Sequence, residues 1–179
     1  YDNPLESMGQ HERQAWFGCA CCPGNITRFM ASVPTYMYAT QGNDIFVNLY
    51  VQSNGKVKVG KNEVSMKQTT QYPWDGKITI SVSPVKSGKF AISLRIPGWA
   101  GNQPVPTNLY KFTEKALSGY NIRVNGKIAN LSAKDGYVSI DRQWKKGDVI
   151  ELNLPMTVRR IQAHDNVADN KGKLAIERG

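Results

Sequence analysis

This chain of 179 residues contains three closely spaced cysteines, which are its clearest candidates for catalysis or metal binding. Cys19, Cys21 and Cys22 fall within four positions and are followed directly by Pro23 and Gly24. A thiolate is a strong nucleophile and also a soft ligand of the kind that zinc binds well. One cluster supplies only part of a four-ligand zinc site, so further ligands must come from elsewhere. The cluster therefore predicts nucleophile or metal chemistry, with buried thiols or chance clustering as the alternative.

A helix is predicted to begin directly after these cysteines. Its apolar side chains recur at helical spacing and form one stripe, made of Ile26, Phe29, Met30, Val33 and Met37. Asn25 is the expected N-cap, and Pro34 should kink the helix or end its regular hydrogen bonding near Val33. The unpaired N–H groups and the dipole at a helix start favour the thiolate form of a cysteine placed there. The predicted helix would therefore activate Cys21 and Cys22.

From Ile45 onward the apolar pattern changes to a period of two, which is typical of half-buried strands. Nine strands are predicted, with a tenth at 157–164; the nine are 45–52, 56–59, 63–70, 77–83, 88–97, 120–125, 127–131, 136–141 and 148–155. Asn-Gly or Asp-Gly pairs predict tight turns at 54–55, 75–76, 125–126 and 135–136. Short, regularly spaced strands indicate a mainly β fold, an antiparallel β-sandwich preceded by a short α-helical tail.

One long loop is predicted at 98–119, with a helical turn at Thr113–Leu117. The chain starts at Tyr1 with no recognisable leader, and this start predicts a piece cut from a longer polypeptide.

The formal net charge is +9, and the positive excess lies entirely after residue 42. The lysines stand singly at turns and on alternating strand positions, which is typical of solvated faces and protected sheet edges. Nucleic-acid binding would instead need clustered basic residues with stacking aromatics, so no nucleic-acid partner is predicted. No apolar stretch reaches the roughly 18 residues that a membrane span needs, so no membrane partner is predicted either. The compartment, cytoplasmic or periplasmic, and the oligomeric state stay open.

The sequence around the cysteines resembles a known enzyme family. The segments that carry the resemblance are Asn3–Glu6, His11–Phe17 and Cys19–Ile26, followed by Tyr36–Ala39, Ile45–Tyr50, Arg95–Trp99 and Val124–Gly126. They resemble the β-L-arabinofuranosidase family, glycoside hydrolase family 127, from the end of its catalytic barrel into the sandwich that follows. The C-x-C-C-P-x-N core is the specific part, and the more diffuse similarity extends over effectively the whole chain.

The resemblance implies an (α/α)6 catalytic barrel whose C-terminal end is residues 1–43, followed by a β-sandwich domain at 44–179. It implies a zinc-dependent retaining hydrolase of plant-glycan oligosaccharides in which a cysteine replaces the usual carboxylate nucleophile. By this mapping Cys21 attacks the anomeric carbon and also contacts zinc, Cys22 is a zinc ligand, and Cys19 has no assigned role. The remaining ligands, a glutamate and a cysteine, and the acid/base glutamate would precede this chain. The chain alone is therefore expected to be inactive.

A non-catalytic β-sandwich, either structural or carbohydrate-binding, is the main alternative function. Trp74, Trp99 and Trp144 would then form a sugar-stacking platform, although Trp74 and Trp144 flank turns, where capping of the core is the competing interpretation. A thiol redox protein is a third hypothesis, and the absence of a βαβ pattern counts against it.

The sequence offers few other catalytic candidates. Glu6 and Glu12 are close together, but no motif presents them as the carboxylate pair of a glycosidase. His11 could line the cysteine site or serve a loop hydrogen bond, and His164 is predicted to be a surface residue.

Overall fold

The computed structural model describes residues 21–114 and 119–179. The chain divides into two compact units, Tyr1–Thr35 and Tyr36–Gly179. In the described part of the first unit, helix α1 spans Cys21–Ser32 and leads into a 3-10 helix at Val33–Tyr36. No helix in the described ranges is both long and apolar enough to cross a membrane.

Helix α1 begins earlier than the sequence pattern predicts. It starts at Cys21, so the prediction of Asn25 as N-cap is wrong: Asn25 lies inside the helix, and its Oδ1 accepts a hydrogen bond of 3.2 Å from Arg28. Pro23 is compatible with this earlier start because the first-turn N–H groups of a helix have no partner within the helix. The predicted end is confirmed, since regular α-helix stops at Ser32.

The second unit is built almost entirely from strands, which confirms the mainly β prediction. Its described residues form β1 (Tyr38–Gln41), β2 (Asp44–Val47), β3 (Ser53–Val59), β4 (Asn62–Thr70), β5 (Lys77–Pro84), β6 (Gly88–Arg95), β7 (Tyr110–Phe112), β8 (Asn121–Val124), β9 (Lys127–Ile128), β10 (Tyr137–Trp144), β11 (Asp148–Asn153), β12 (Arg159–Ala163) and β13 (Leu174–Glu177). Three of these, β1, β7 and β13, were not predicted. Each has only three or four residues, too few for an alternating pattern to be recognised.

The strands form three sheets. One has the order β1-β2-β6-β10, the second β3-β4-β5-β11-β8-β9, and the third β13-β12-β7. Neighbouring strands are antiparallel, as predicted for the sandwich, except for the parallel pair β2 and β6. The inward positions of the first two sheets share one core, because alternate side chains of each strand point to the same face.

The core is made of the alternating aliphatic residues that the period-two pattern marks. Ile78, Ile80 and Val82 of β5 are completely buried, as are Ile92 and Leu94 of β6. Each side chain of this size contributes about 1.5–3 kcal/mol when it is removed from water. The register of the strands is set by burial of these alternating side chains together and not by any single contact.

Two of the predicted tight turns are confirmed by their backbone. Asn125 and Gly126 have φ of 52° and 76°, and Asp135 and Gly136 have φ of 52° and 81°. Positive φ at both central residues is the requirement of a type I′ turn, and only glycine and a few short polar residues meet it readily.

The predicted turn at Asn54-Gly55 is wrong. Both residues lie inside β3 and pair with β4, and the connection between these strands falls after Val59 instead. A Cβ atom on Gly55 would come within 3.1 Å of the Tyr38 ring, closer than nearly all real contacts of this kind. Gly55 therefore serves a close side-chain approach rather than a turn. The Asp75-Gly76 pair likewise closes a longer connection, at 71–76, instead of a two-residue hairpin.

Asp148 is a buried carboxylate at the start of β11. Its Oδ2 accepts a hydrogen bond of 2.9 Å from the Lys145 backbone N–H, and its Oδ1 accepts one of 2.9 Å from the Asn125 side chain. The Arg142 guanidinium lies 3.9 Å from Oδ2. Burial acts to raise the pKa of Asp148, but the two hydrogen bonds and the arginine charge outweigh it and hold the pKa below its ordinary value.

Replacing this carboxylate by an amide (Asp148→Asn) is expected to lower the free energy of unfolding by about 1–3 kcal/mol near neutral pH, because charge-assisted hydrogen bonds are weakened. The folded-state pKa lies below the unfolded value of about 3.9, so the stabilisation exists above that value and disappears as the pH falls through the folded pKa. Urea unfolding of both proteins across this pH range measures the effect. Asp141→Asn is the control, since Asp141 is exposed in a surface pair with Lys89. A difference that does not change with pH would contradict the assignment.

Candidate functional site

Helix α1 presents Cys21 and Cys22 at its first turn. Both side chains are exposed, and their Sγ atoms lie 3.7 Å apart, far beyond an S–S bond of about 2.05 Å. The two sulfurs therefore lie close enough to act on the same atom.

The local sequence explains why the cysteines are presented in this way. The first four N–H groups of a helix have no helical acceptor, and they carry the positive end of the helix dipole. Pro23 lacks an N–H and occupies the first turn without loss, while its carbonyl oxygen accepts a hydrogen bond of 2.8 Å from the Thr27 hydroxyl. The helix start therefore surrounds the two sulfurs with partial positive charge.

The spacing of the sulfurs is compatible with a shared metal ion. Two sulfurs bound to one tetrahedral zinc at about 2.3 Å lie about 3.8 Å apart, and the Sγ atoms of Cys21 and Cys22 are at 3.7 Å. Within residues 21–114 and 119–179, no group of three or more His, Cys, Asp or Glu side chains could hold a metal. Among the described residues, the Cys21–Cys22 pair therefore has the spacing that two ligands of one such ion would need.

Several predicted site residues lie outside the described part of the chain. These are Glu6, His11, Glu12 and Cys19, and the predicted helical turn at Thr113–Leu117 also falls mostly outside the described residues, at 115–118. His164 is described and lies exposed on the surface, where its Nδ1 accepts a hydrogen bond from the Asn166 backbone N–H at 3.2 Å.

The three candidate tryptophans do not form one platform. Trp144 is completely buried, and its Nε1–H donates a hydrogen bond of 2.9 Å to the Phe90 carbonyl oxygen. It caps the core, as the competing interpretation predicts. Trp74 is 79% exposed in the connection between β4 and β5, and Trp99 is partly buried in a 3-10 helix at Gly98–Gly101.

Trp99 lines a pocket within the second unit that the sequence analysis did not predict. The pocket has a volume of about 480 Å³, and its lining includes Tyr50, Tyr72, Arg95 and Gln103. These residues come from the β2–β3 connection, the β4–β5 connection, the end of β6 and the segment after it, so no local spacing joins them. One feature of the sequence could have pointed to this pocket: Arg95 follows the buried Leu94 at the end of β6 and therefore faces outward.

Tyr50 of this pocket is held in place by a hydrogen bond. Its hydroxyl donates a hydrogen bond of 2.6 Å to the Arg95 carbonyl oxygen. The Tyr50 and Tyr72 rings meet edge to face with their centroids 6.2 Å apart. Burial is the main cause that raises the pKa of both tyrosines, and the positive charge of Arg95 acts in the opposite direction on both.

The chain is similar to proteins of one family throughout its length. Residues 44–156 match the family model described as β-L-arabinofuranosidase, GH127 middle domain. The non-reducing end β-L-arabinofuranosidase of Bifidobacterium longum subsp. longum is 32% identical over 99% of this chain and 25% of its own length. The chain thus spans about a quarter of this curated relative.

Solved structures show the same relationship. A GH127 β-arabinofuranosidase superimposes with a TM-score of 0.91 at 41% identity, over 100% of this chain and 28% of its own. A GH127 β-L-arabinofuranosidase from Geobacillus stearothermophilus T6 gives a TM-score of 0.79 at 39% identity, over 93% of this chain and 24% of its own. With the family model covering more than half of the residues, the chain belongs to glycoside hydrolase family 127 and contains the middle domain of that family.

Proposed function

We propose that this chain is part of a retaining glycoside hydrolase that removes β-L-arabinofuranosyl units from plant glycans, with Cys21 as its nucleophile. The observation that carries the proposal is the exposed pair of sulfurs 3.7 Å apart at the start of α1. The names of the relatives, which are β-L-arabinofuranosidases, support the substrate class. Because the chain spans about a quarter of these relatives, the activity is proposed for a longer polypeptide that contains it.

The exposed apolar stripe of α1 supports a division of the chain into a barrel segment and a β-sandwich domain. Ile26, Phe29 and Met30 share one helix face and are each more than half exposed. A helix with such a stripe is stabilised by burying it against other helices. We therefore propose that the segment up to Thr35 is the end of a catalytic helical barrel and that the β-sandwich domain follows from Tyr36 onward, because β1 already belongs to the sheet β1-β2-β6-β10.

The chemistry proposed for Cys21 is a double displacement. Its thiolate attacks the anomeric carbon, so a C–S bond forms while the glycosidic C–O bond breaks, and the leaving oxygen takes a proton from an acid elsewhere in the polypeptide. The acid that gave up its proton then acts as a base and takes a proton from a water molecule. This water attacks the anomeric carbon, the C–S bond breaks, and the Cys21 thiolate is released. Two inversions at one carbon retain its configuration.

Cys21 and Cys22 would hold a zinc ion together with two ligands from outside the described residues. When bound, zinc keeps a coordinating thiol deprotonated near neutral pH. Cys22 then orients the site without reacting itself, while the α1 N-terminus stabilises the negative charge of both sulfurs.

Treating the longer polypeptide with a strong chelator is expected to lower its turnover of an aryl β-L-arabinofuranoside by at least about tenfold, with recovery on addition of zinc, because the site then loses the ion that Cys21 and Cys22 would hold. Metal content and turnover are measured on the same samples. The variant Cys22→Ser should lose most of its bound zinc. The control is Cys19→Ser, the same change in the same cluster at a residue with no assigned role. Full zinc content in Cys22→Ser would contradict the assignment.

A further inference from the structure

The pocket lined by Tyr50, Tyr72, Arg95 and Trp99 has the character of a ligand site. Its volume of about 480 Å³ lies within the range of about 300–1,000 Å³ that is typical of small-molecule pockets. It lies wholly within the second unit, so its geometry depends on one compact body. Such pockets combine mainly apolar walls with a few polar groups that orient the ligand.

The apolar walls of the pocket are aromatic and preorganised. The ring of Tyr50 is buried and its hydroxyl is already bonded to the backbone, so this residue contributes a fixed surface. The Tyr72 ring meets the Tyr50 ring edge to face, and both Tyr72 and Trp99 pack against the core. Aromatic side chains carry a negative π-face, and the C–H face of a sugar ring packs favourably on such a surface. Fixed walls also lower the entropic cost of binding.

The polar group that distinguishes this pocket is the guanidinium of Arg95. The side chain is exposed, and within the described residues it forms neither an ion pair nor a side-chain hydrogen bond. Arg95 lines the pocket together with Tyr50, Tyr72 and Trp99, and its charge acts on both tyrosines. A guanidinium presents a rigid fork of donors that matches the two oxygens of a carboxylate. The excess of positive charge after residue 42 favours an anionic ligand further.

We propose that this pocket binds a carboxylate-bearing sugar, a uronic acid unit of an acidic glycan, with the ring against Tyr72 and Trp99 and the carboxylate on Arg95. The site would hold an acidic glycan to the β-sandwich by contacts that leave the sugar unchanged. It stands independently of the cysteine chemistry proposed above, because no residue is shared between the two sites. The pocket therefore gives a specific form to the carbohydrate-binding alternative for this sandwich.

Calorimetric titration of the full 179-residue chain with trigalacturonate tests the proposal, with the methyl ester of trigalacturonate as the matched ligand. Esterification removes the charge and leaves the ring face intact. Trigalacturonate is expected to bind roughly 10–100-fold more tightly than its ester, because charge-assisted hydrogen bonds to a carboxylate are among the stronger polar interactions. Its affinity should also fall as salt is added, since the site is exposed.

Two variants separate the pocket from general charge attraction. Arg95→Ala should lose the preference for trigalacturonate over the ester. Lys58→Ala removes the same charge from an exposed position of β3 outside the pocket, and it should keep that preference. Arg95 is exposed, so a thermal unfolding curve is expected to show that the variant folds.

Saturation-transfer NMR adds a readout of the aromatic walls, because ring protons of the bound sugar should receive magnetisation from the protein. Equal affinity for trigalacturonate and its ester, absence of binding to both, or an equal loss of preference in Arg95→Ala and Lys58→Ala would each overturn the proposal. Binding of a neutral arabino-oligosaccharide as tightly as trigalacturonate would overturn it as well.

Discussion

Replacing Cys21 by serine in the longer polypeptide is expected to lower kcat/KM on an aryl β-L-arabinofuranoside by at least about 10³-fold. A serine hydroxyl is far less ionised near neutral pH than a thiol at a helix start, and it is a poorer leaving group in the second displacement. The exposed sulfur of Cys21, within 3.7 Å of Cys22, is the observation that motivates this prediction. Steady-state kinetics of purified wild-type and Cys21→Ser proteins give the measurement.

The kinetic result needs a matched control and a metal measurement. Cys19→Ser makes the same chemical change two positions away and should retain turnover within a few fold. Zinc content distinguishes loss of a nucleophile, in which the ion is retained, from loss of the whole site. Undiminished turnover in Cys21→Ser would remove the cysteine from the mechanism, whatever the metal content.

Truncating Trp144 to alanine is expected to destabilise the second unit by about 3–5 kcal/mol, the usual range for removal of a large buried aromatic. Trp144 is completely buried, its ring centroid lies 6.1 Å from that of Phe90, and its indole N–H is bonded to the Phe90 carbonyl oxygen. The truncation therefore creates a cavity and leaves a buried carbonyl without its donor. Urea unfolding monitored by circular dichroism measures the loss.

Two further substitutions make the Trp144 result specific. Trp144→Phe keeps most of the ring volume and should cost less than the alanine variant. Trp74→Ala removes a tryptophan that is 79% exposed, and its expected effect is below about 0.5 kcal/mol. Similar losses for Trp74→Ala and Trp144→Ala would contradict the placement of Trp144 in the core.

The mainly β architecture was predictable because its signal is local. Alternating residues such as Ile78, Ile80 and Val82 mark a half-buried strand wherever they occur, and the structure buries all three. The end of α1 was predictable for a similar reason, since Pro34 cannot continue regular helical bonding. The start of α1 was not, because the first turn tolerates Pro23 as readily as a loop does.

The glycine pairs show where local patterns become ambiguous. Asn125-Gly126 and Asn54-Gly55 have the same letters, yet the first is a tight turn and the second lies inside β3. In β3 both residues pair with β4, and the Tyr38 ring occupies the space that a side chain at position 55 would need. A contact between residues that are distant in the chain cannot be recognised from the local sequence around either residue.

Residue types and their order along the chain were enough to predict two adjacent thiols at a helix start, strands with one apolar face, and a family relationship carried by the C-x-C-C-P-x-N core. These features depend on each residue and on its neighbours in the chain. The packed structure was needed to show that the sulfurs lie 3.7 Å apart, that Trp144 belongs to the core, and that Tyr50, Tyr72 and Arg95 line one pocket. Distances and burial depend on side-chain rotamers and on how separate strands pack, and local spacing encodes neither of them.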